Sequence, residues 1–177
     1  MPNWCTNSMT VKGPKADQDS FHQAMKHEGE FRLLEAFIPR SAYYETQTGY
    51  NDGGYEWCIN TWGTKWPEGE LEVHYDPSDE KDIIGMSFET AWAPPLDGIA
   101  KIARLYPTLE FSIEWSEPGM AFCGAAVYRD GESVLVEDEF SFEGIDENDW
   151  MAQQERIDEI REECATKAYS LIKETVS

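Results

Sequence analysis

The sequence predicts an α+β fold in which helices cover one face of an antiparallel sheet. Several segments alternate apolar and polar residues strictly, which is the pattern of half-buried strands. Other segments repeat apolar residues at helical spacing, and turns rich in Gly, Pro and Asp separate the two kinds. Because the chain has 177 residues, it is long enough to bury one substantial core.

The first strand and the first helix are predicted close to the N-terminus. Residues 3–12 end in an alternating pattern, and a Gly-Pro pair ends the strand. Residues 16–27 are expected to form a short helix that buries Phe21 and Met25.

An aromatic-rich insertion is predicted at residues 28–66. Within it, residues 31–39 favour a short helix ended by a proline, and residues 41–54 form a loop rich in Gly, Asn and Asp. The last stretch, YEWCINTWGTKW at residues 55–66, contains three tryptophans. We expect this stretch to be irregular and its tryptophans to anchor the insertion onto the sheet.

Two strands and a helix follow the insertion. Residues 70–75, ELEVHY, alternate between an apolar face and an acidic, solvated face, and residues 83–92 are typical of the next strand. Two prolines end that strand. Residues 96–107 place their apolar side chains near one helical face.

The C-terminal part predicts three more strands and a long helix. Residues 108–115 alternate, and the next strand ends at Asp130-Gly131, a strong hairpin pattern whose partner is SVLVEDEF. Residues 147–175 are expected to be helical.

Without the insertion, the order is strand, helix, strand, strand, helix, strand, which is the split β-α-β pattern of a ferredoxin-like sandwich. The last hairpin is expected to extend or flank the sheet. We therefore predict a ferredoxin-like α+β domain at residues 1–140 and an acidic helix at residues 141–177 that packs on the same domain.

Four motifs resemble a known family. They are MPNWCTNSMTVKG at the start, NTWGTKW at residues 60–66, FETAWAPP at residues 88–95 and YPTLEFSIEWSEPGMAFCG at residues 106–124. In this order they are similar to phage and plasmid proteins with a YubB-type ferredoxin-like domain, over roughly residues 1–130. The resemblance implies a mobile-element origin and the fold predicted above. The family has no established activity that the resemblance could imply, and it therefore supplies no catalytic residues for this chain.

Composition excludes several classes of function. Residues 1–66 carry 6 Lys or Arg and 8 Asp or Glu, whereas residues 67–177 carry 8 and 27. Such a negative surface disfavours direct nucleic-acid binding and attracts basic partners.

The four cysteines form no C-x-x-C pair and the three histidines lack metal-site spacing, so we predict no metal and no cofactor. No apolar run could span a membrane and no secretory pattern opens the chain, so we expect a cytoplasmic protein.

The acid-rich C-terminal segment is the first candidate site. The apolar stripe of its helix must be buried on the sheet or against a second copy in a homodimer, which leaves the acidic face outward. A fixed array of carboxylates could imitate phosphates and occupy the groove of a basic, DNA-binding host protein or nucleoprotein complex, as an inhibitor of restriction or CRISPR defence would. The alternative is a surface that only confers solubility. The candidate residues, hereafter the acidic region, are Glu137, Asp138, Glu139, Glu143, Asp146, Glu147, Asp149, Glu155, Asp158, Glu159, Glu162 and Glu163.

The tryptophan cluster is the second candidate site. Indole walls, nearby amides and a lysine that holds an anion could form a small-molecule or nucleotide site, with or without catalysis. The candidate residues are Asn60, Trp62, Lys65, Trp66 and Trp92. The alternative is that the tryptophans only pin the insertion and that Lys65 lies along an indole with its ammonium in water. Carboxylates near aromatics, such as Glu89 and Glu117, leave an enzymatic role open, but a chain with 35 Asp and Glu residues produces such neighbours by chance.

Overall fold

The computed structural model describes residues 3–27, 29–41, 54–75 and 83–176. Its main feature is a six-stranded antiparallel sheet, and two strands of two residues each form a second, small sheet. The strands are β1 (Trp4–Lys12), β2 (Lys26–His27), β3 (Glu30–Phe31), β4 (Glu72–His74), β5 (Ile83–Ala91), β6 (Glu110–Glu117), β7 (Phe122–Arg129) and β8 (Glu132–Glu139). The helices are α1 (Lys15–Ala24), α2 (Leu34–Phe37), α3 (Gly54–Trp62), α4 (Leu96–Leu105) and α5 (Trp150–Thr175).

The strand order β4-β5-β1-β6-β7-β8 confirms the ferredoxin-like prediction. The first four strands in this order, with α1 and α4, form the split β-α-β arrangement. Strands β7 and β8 extend the sheet beyond β6, and Asp130 and Gly131 form their turn with positive φ angles of 53° and 84°. This is the turn conformation that the Asp-Gly pair predicts.

The larger core lies between the sheet and the helices α1 and α4. Alternate residues of β1, β5 and β6 point to this face, as the sequence predicts. Phe21 of α1 contacts Phe111 edge-on at 5.4 Å between ring centroids, and Trp115 is fully buried. Apolar burial of this kind is the main force that holds the domain together.

Helix α5 covers the opposite face of the sheet. Its buried side chains include Ile157, Ile160 and Ile172, and they form a second core with Cys123 and Val127 of β7. Most of the apolar stripe of α5 is thus buried within the chain itself, while Leu171 stays exposed. All four cysteines of the chain are buried free thiols.

The insertion contains more regular structure than the sequence indicated. Residues 54–62, expected to be irregular, form α3. Gly98 of α4 makes room for α2, because an added Cβ would lie 2.7 Å from the Leu34 Cδ2. The predicted helix at 31–39 is reduced to α2, and the predicted helix at 16–27 ends at Ala24 before β2 begins. Most of the predicted loop at 41–54 lies outside the described residues.

Helices of the described ranges are all too short or too polar to span a bilayer.

Gly124 of β7 should be intolerant of any side chain. A Cβ at this position would lie 2.5 Å from the Trp115 indole and 2.6 Å from the Val136 carbonyl oxygen. Both neighbours belong to the packed sheet, so the strand must shift. We expect Gly124→Ala to lower the free energy of unfolding by about 1–3 kcal/mol, as other overpacking changes do, measured by urea unfolding followed with circular dichroism.

Gly85 of β5 is the matched control. A Cβ there meets only the His74 Cβ and carbonyl oxygen, both at 3.8 Å, an ordinary contact. Gly85→Ala should therefore leave stability unchanged or raise it slightly, by about 0.5 kcal/mol, because alanine restricts the unfolded chain. Equal losses in both variants would contradict the close packing of β7.

Candidate functional site

The acidic region occupies three adjoining elements: the end of β8, the loop at residues 140–149 and the first half of α5. Asp158 is half-buried, and the other carboxylate residues of the region are exposed. The densest charge lies at residues 137–149, which hold seven Asp or Glu and no Lys, Arg or His. The region is therefore continuous along the chain and open to solvent.

The pleat of β8 divides the first three carboxylates between the two faces of the sheet. Asp138 is paired in register with Cys123, whose side chain lies in the core under α5. Glu137 and Glu139 are paired with Gly124 and Phe122, on the side of the larger core. Since neighbouring strand residues point to opposite faces, the acidic region is not one flat surface.

Several of these carboxylates have local structural partners. Asp149 caps α5 by accepting from the Ala152 N–H at 3.1 Å, and Asp146 accepts from the Asn148 N–H at 2.8 Å. Negative charge at a helix N-terminus is favourable in itself, so this part of the region also stabilises α5.

Two ion pairs partly neutralise the acidic residues of α5. Asp158 pairs with Arg161 at 2.6 Å, and Glu159 pairs with Arg156 at 2.7 Å. For the remaining acidic-region residues no ion pair is found in the part of the chain that the structure describes. They are Glu137, Asp138, Glu139, Glu143, Asp146, Glu147, Asp149, Glu155, Glu162 and Glu163.

The second candidate site is an aromatic cage around the ammonium of Lys65. The Lys65 Nζ lies 4.1 Å from the ring centroid of Trp92, 4.7 Å from that of Trp66 and 5.1 Å from that of Tyr55. All three distances are within the range in which an aromatic ring attracts a cation. The ring centroids of Tyr55 and Trp92 are 5.9 Å apart with the planes nearly perpendicular.

The segment that carries Lys65 and Trp66 is anchored to the end of β5. The Thr64 hydroxyl donates to the Ala91 carbonyl at 2.9 Å, and the Lys65 N–H donates to the same oxygen at 3.3 Å. Further along, the Gly69 N–H donates to the Glu89 carbonyl at 2.8 Å. The backbone thus holds this segment in place independently of the Lys65 side chain.

Trp92 completes the cage in an unusual conformation. Its φ is 76°, which is rare for a bulky residue, and its N–H donates to the Asn3 carbonyl at 2.9 Å. Its side chain is 42% exposed, as is that of Trp4, which packs against Trp66 at 6.4 Å between centroids. The cage therefore lies at the surface, at the end of β1 and β5.

The structure separates the five residues that the sequence grouped. Lys65, Trp66 and Trp92 come together, whereas Trp62 is fully buried against Leu34 and donates its indole N–H to the Ile38 carbonyl at 3.2 Å. Trp62 is a core residue and does not line the cage. Asn60 is exposed on α3.

Sequence reasoning missed the role of Tyr55. Tyr55 opens the aromatic stretch, but its place in the cage depends on α3, which was not predicted. Of the two roles considered for the lysine, packing against an indole fits the structure, because its ammonium faces three rings whose π faces favour positive charge. The geometry thus suits a cation at this position and not a phosphate or carboxylate.

The carboxylates considered for catalysis are structural or isolated. Glu117 is buried and accepts from the N–H groups of Gly119 and Met120, at 2.9 and 2.6 Å, and so it holds the turn between β6 and β7. Glu89 is exposed. Among the described residues there is no group of three His, Cys, Asp or Glu side chains that could hold a metal ion.

Comparison with known proteins identifies the domain. The family model described as the ferredoxin-like domain in Api92-like protein matches residues 61–155. The match includes β8, the acidic loop and the first residues of α5, so the acidic region lies mostly inside it, unlike the resemblance drawn from the sequence motifs. No curated protein matches the chain in sequence.

A solved structure shares the fold. The crystal structure of the protein api92 from Yersinia pseudotuberculosis aligns with a TM-score of 0.58 at 10% identity, over 80% of this chain and 99% of that one. At this identity the likeness concerns the fold alone.

Glu68, three residues after Lys65, should make the stability of the fold depend on pH. Its buried carboxylate accepts from the Leu33 N–H and, at 3.1 Å, from the Leu34 N–H at the start of α2. Burial raises the pKa of the Glu68 carboxyl above its ordinary value. A raised folded-state pKa means that the folded chain binds the proton more tightly, so this group's contribution to stability falls as pH rises from 4.5 through the folded pKa.

Glu68→Gln removes this titration. We expect the unfolding free energy of the variant, relative to wild type, to increase between about pH 4.5 and pH 7, the range that begins at the unfolded carboxyl pKa. The measurement is urea unfolding of both proteins across that range. An unchanging difference for Glu68→Gln would contradict the raised pKa.

Proposed function

The chain belongs to the family defined by the ferredoxin-like domain in Api92-like protein, and we propose that it is a non-enzymatic protein that binds a basic partner through its acidic region. The partner is a nucleic-acid-binding protein or nucleoprotein complex whose basic groove the carboxylates enter in place of phosphates. The observation that carries the proposal is the concentration of exposed acidic residues on β8, the loop at 140–149 and α5.

Charge favours this class of partner. The formal net charge is -21, and the acidic region contributes a large share of it over a short length of chain. Such a field attracts a basic protein from solution and accelerates its association. Binding releases the partner's counter-ions, so it should weaken steeply as salt increases.

Rigidity also supports the proposal. Helix α5 packs on β7 and β8 through its apolar stripe, and its N-terminus is capped by Asp149. The carboxylates of α5 are therefore held on a fixed frame before any partner binds. A preorganised surface loses less conformational entropy on binding than a disordered acidic tail would.

The spacing of the charges limits how DNA can be imitated. Glu155, Glu159 and Glu162 are separated by four and three residues, or about 6 and 4.5 Å along the helix axis. One strand of B-DNA presents a phosphate about every 3.4 Å of axis. The helix alone is thus less dense in charge than DNA, and the loop at 140–149 must share the contact.

A mobile-element origin is part of the proposal. The sequence motifs resemble phage and plasmid proteins, and an acidic protein of such an element would benefit by occupying a DNA-binding component of host defence. Restriction and CRISPR complexes are host assemblies with basic, DNA-binding grooves, and the protein would encounter both in the host cytoplasm.

Charge reversal on α5 tests the proposal. Glu155, Glu162 and Glu163 are exposed, and changing all three to Lys leaves the apolar stripe intact. We expect the wild-type chain to retain basic nucleic-acid-binding proteins from a bacterial lysate at about 0.1 M salt, and to release them when duplex DNA is added. The triple variant should retain at least about tenfold less, the effect of losing roughly 1.4 kcal/mol.

The control is a second triple reversal, of Glu56, Glu70 and Glu72, which are exposed outside the acidic region. It changes the net charge by the same amount but leaves the acidic region intact, so the proposal expects the partner to be retained. If both triple variants lose retention equally, net charge alone explains the binding; if the wild type retains nothing that DNA can displace, the proposal fails. Deleting α5 is a poor test, because it would expose the core on β7.

A further inference from the structure

We propose that the aromatic cage of Tyr55, Trp66 and Trp92 is a binding site for an alkylammonium group, and that Lys65 occupies this site in the unliganded chain. The inference does not depend on the function proposed above. It rests on the geometry of the rings, on the exposure and strain at Trp92, and on the way the Lys65 segment is held.

The rings surround one cation on several sides. The Lys65 Nζ lies 4.1, 4.7 and 5.1 Å from the centroids of Trp92, Trp66 and Tyr55. Lys12, Lys15 and Lys26 each lie over one ring, in the last case Phe31 at 5.8 Å. Three rings around one positive charge is the arrangement with which proteins recognise quaternary ammonium ligands.

The cage is accessible to solvent, and the surrounding structure holds Trp92 in a strained conformation beside it. Trp92 is 42% exposed at a φ of 76°, a strained conformation that persists only where the surroundings enforce it. Trp4, also 42% exposed, extends the aromatic surface beside Trp66. A ligand can therefore reach the rings from solvent.

Lys65 is not needed to hold its own segment. The backbone of residues 64–69 is tied to β5 through the Ala91 and Glu89 carbonyls, and Glu68 joins it to α2. If the Lys65 side chain leaves the cage, these bonds remain. The lysine thus acts as a displaceable occupant of the cage, and its segment stays ordered without it.

The preferred ligand follows from hydration. A primary ammonium is a compact, strongly hydrated charge, so it loses much solvation when it enters the cage. A methylated ammonium is larger and more weakly hydrated, and it offers methyl groups to the rings. Choline-like small cations and trimethylated lysine side chains share this chemistry, and either could displace Lys65.

Proton NMR with tetramethylammonium tests the site directly. Methyl groups over aromatic ring faces shift upfield, so bound tetramethylammonium reports its own position. We expect Lys65→Ala to bind it at least about tenfold more tightly than wild type, because the internal competitor is gone. Trp92→Ala, alone or added to Lys65→Ala, should lose the upfield shift. Lys26→Ala, which removes a cation from a single ring, should behave as wild type.

A second readout guards against loss of folding. In the wild-type chain the Lys65 Hε protons should resonate upfield of those of other lysines, and tetramethylammonium should move them back. Lys65→Gln serves if Lys65→Ala does not fold. A folded Lys65 variant that shows no upfield shift of tetramethylammonium, or that binds no more tightly than wild type, overturns the proposal.

The same titration with a peptide that contains trimethyllysine distinguishes the two sources of ligand. Tighter binding of the peptide than of tetramethylammonium assigns the cage to a protein side chain. Equal or weaker binding assigns it to a free small cation, and both results require the cage.

Discussion

The burial of β7 on both faces is the constraint on which the rest of the structure depends. One face contributes to the core beneath α1 and α4, and the other lies beneath α5. Two layers can approach this strand because its middle is built from Gly124, Ala125 and Ala126, so that the Trp115 indole lies against bare backbone. The position of α5, and with it the direction of the acidic face, follows from this strand. Without β7 and β8 the domain would be a four-stranded ferredoxin-like sheet with no place for α5.

That packing decides how the negative charge is presented. A carboxylate on α5 points away from the sheet because the apolar stripe points toward it. On β8 the pleat sends Asp138 and Glu139 to opposite faces. At the start of α5 the charge has two effects at once, since Asp149 both caps the helix and adds to the acidic surface. The solubility explanation and the binding explanation therefore do not exclude each other, and only changes confined to residues without structural partners can separate them.

Much of the fold could be predicted because the strands follow simple rules. Alternation located β1, β4, β5 and β6, and the Asp-Gly turn located the last hairpin. The unbroken apolar run in AFCGAAVY also carried information that was not used: a strand buried on both faces does not alternate. Helix α3 was missed because its stretch is rich in aromatics beside a Gly-rich loop, and its helical form depends on packing of Trp62 against Leu34. The sequence grouped Lys65, Trp66 and Trp92, but it could not place Tyr55 in the cage, because Tyr55 and Trp92 are far apart in sequence and meet only through α3 and β5.

The two candidate sites lie at the same end of the sheet. Trp4 begins β1 and Glu139 ends β8, and the register of the intervening strands places these ends side by side. The first half of α5 lies toward this end as well, since Arg161 approaches Glu114 in the middle of β6 whereas Tyr169 lies over Lys12 at the far end. Four strand spacings separate β5, which ends next to Trp92, from β8, about 19 Å, a distance that about six extended residues cover. One basic chain could therefore place a cationic side chain in the aromatic cage while its neighbouring lysines or arginines contact the acidic loop, which makes the two sites compatible with a single partner.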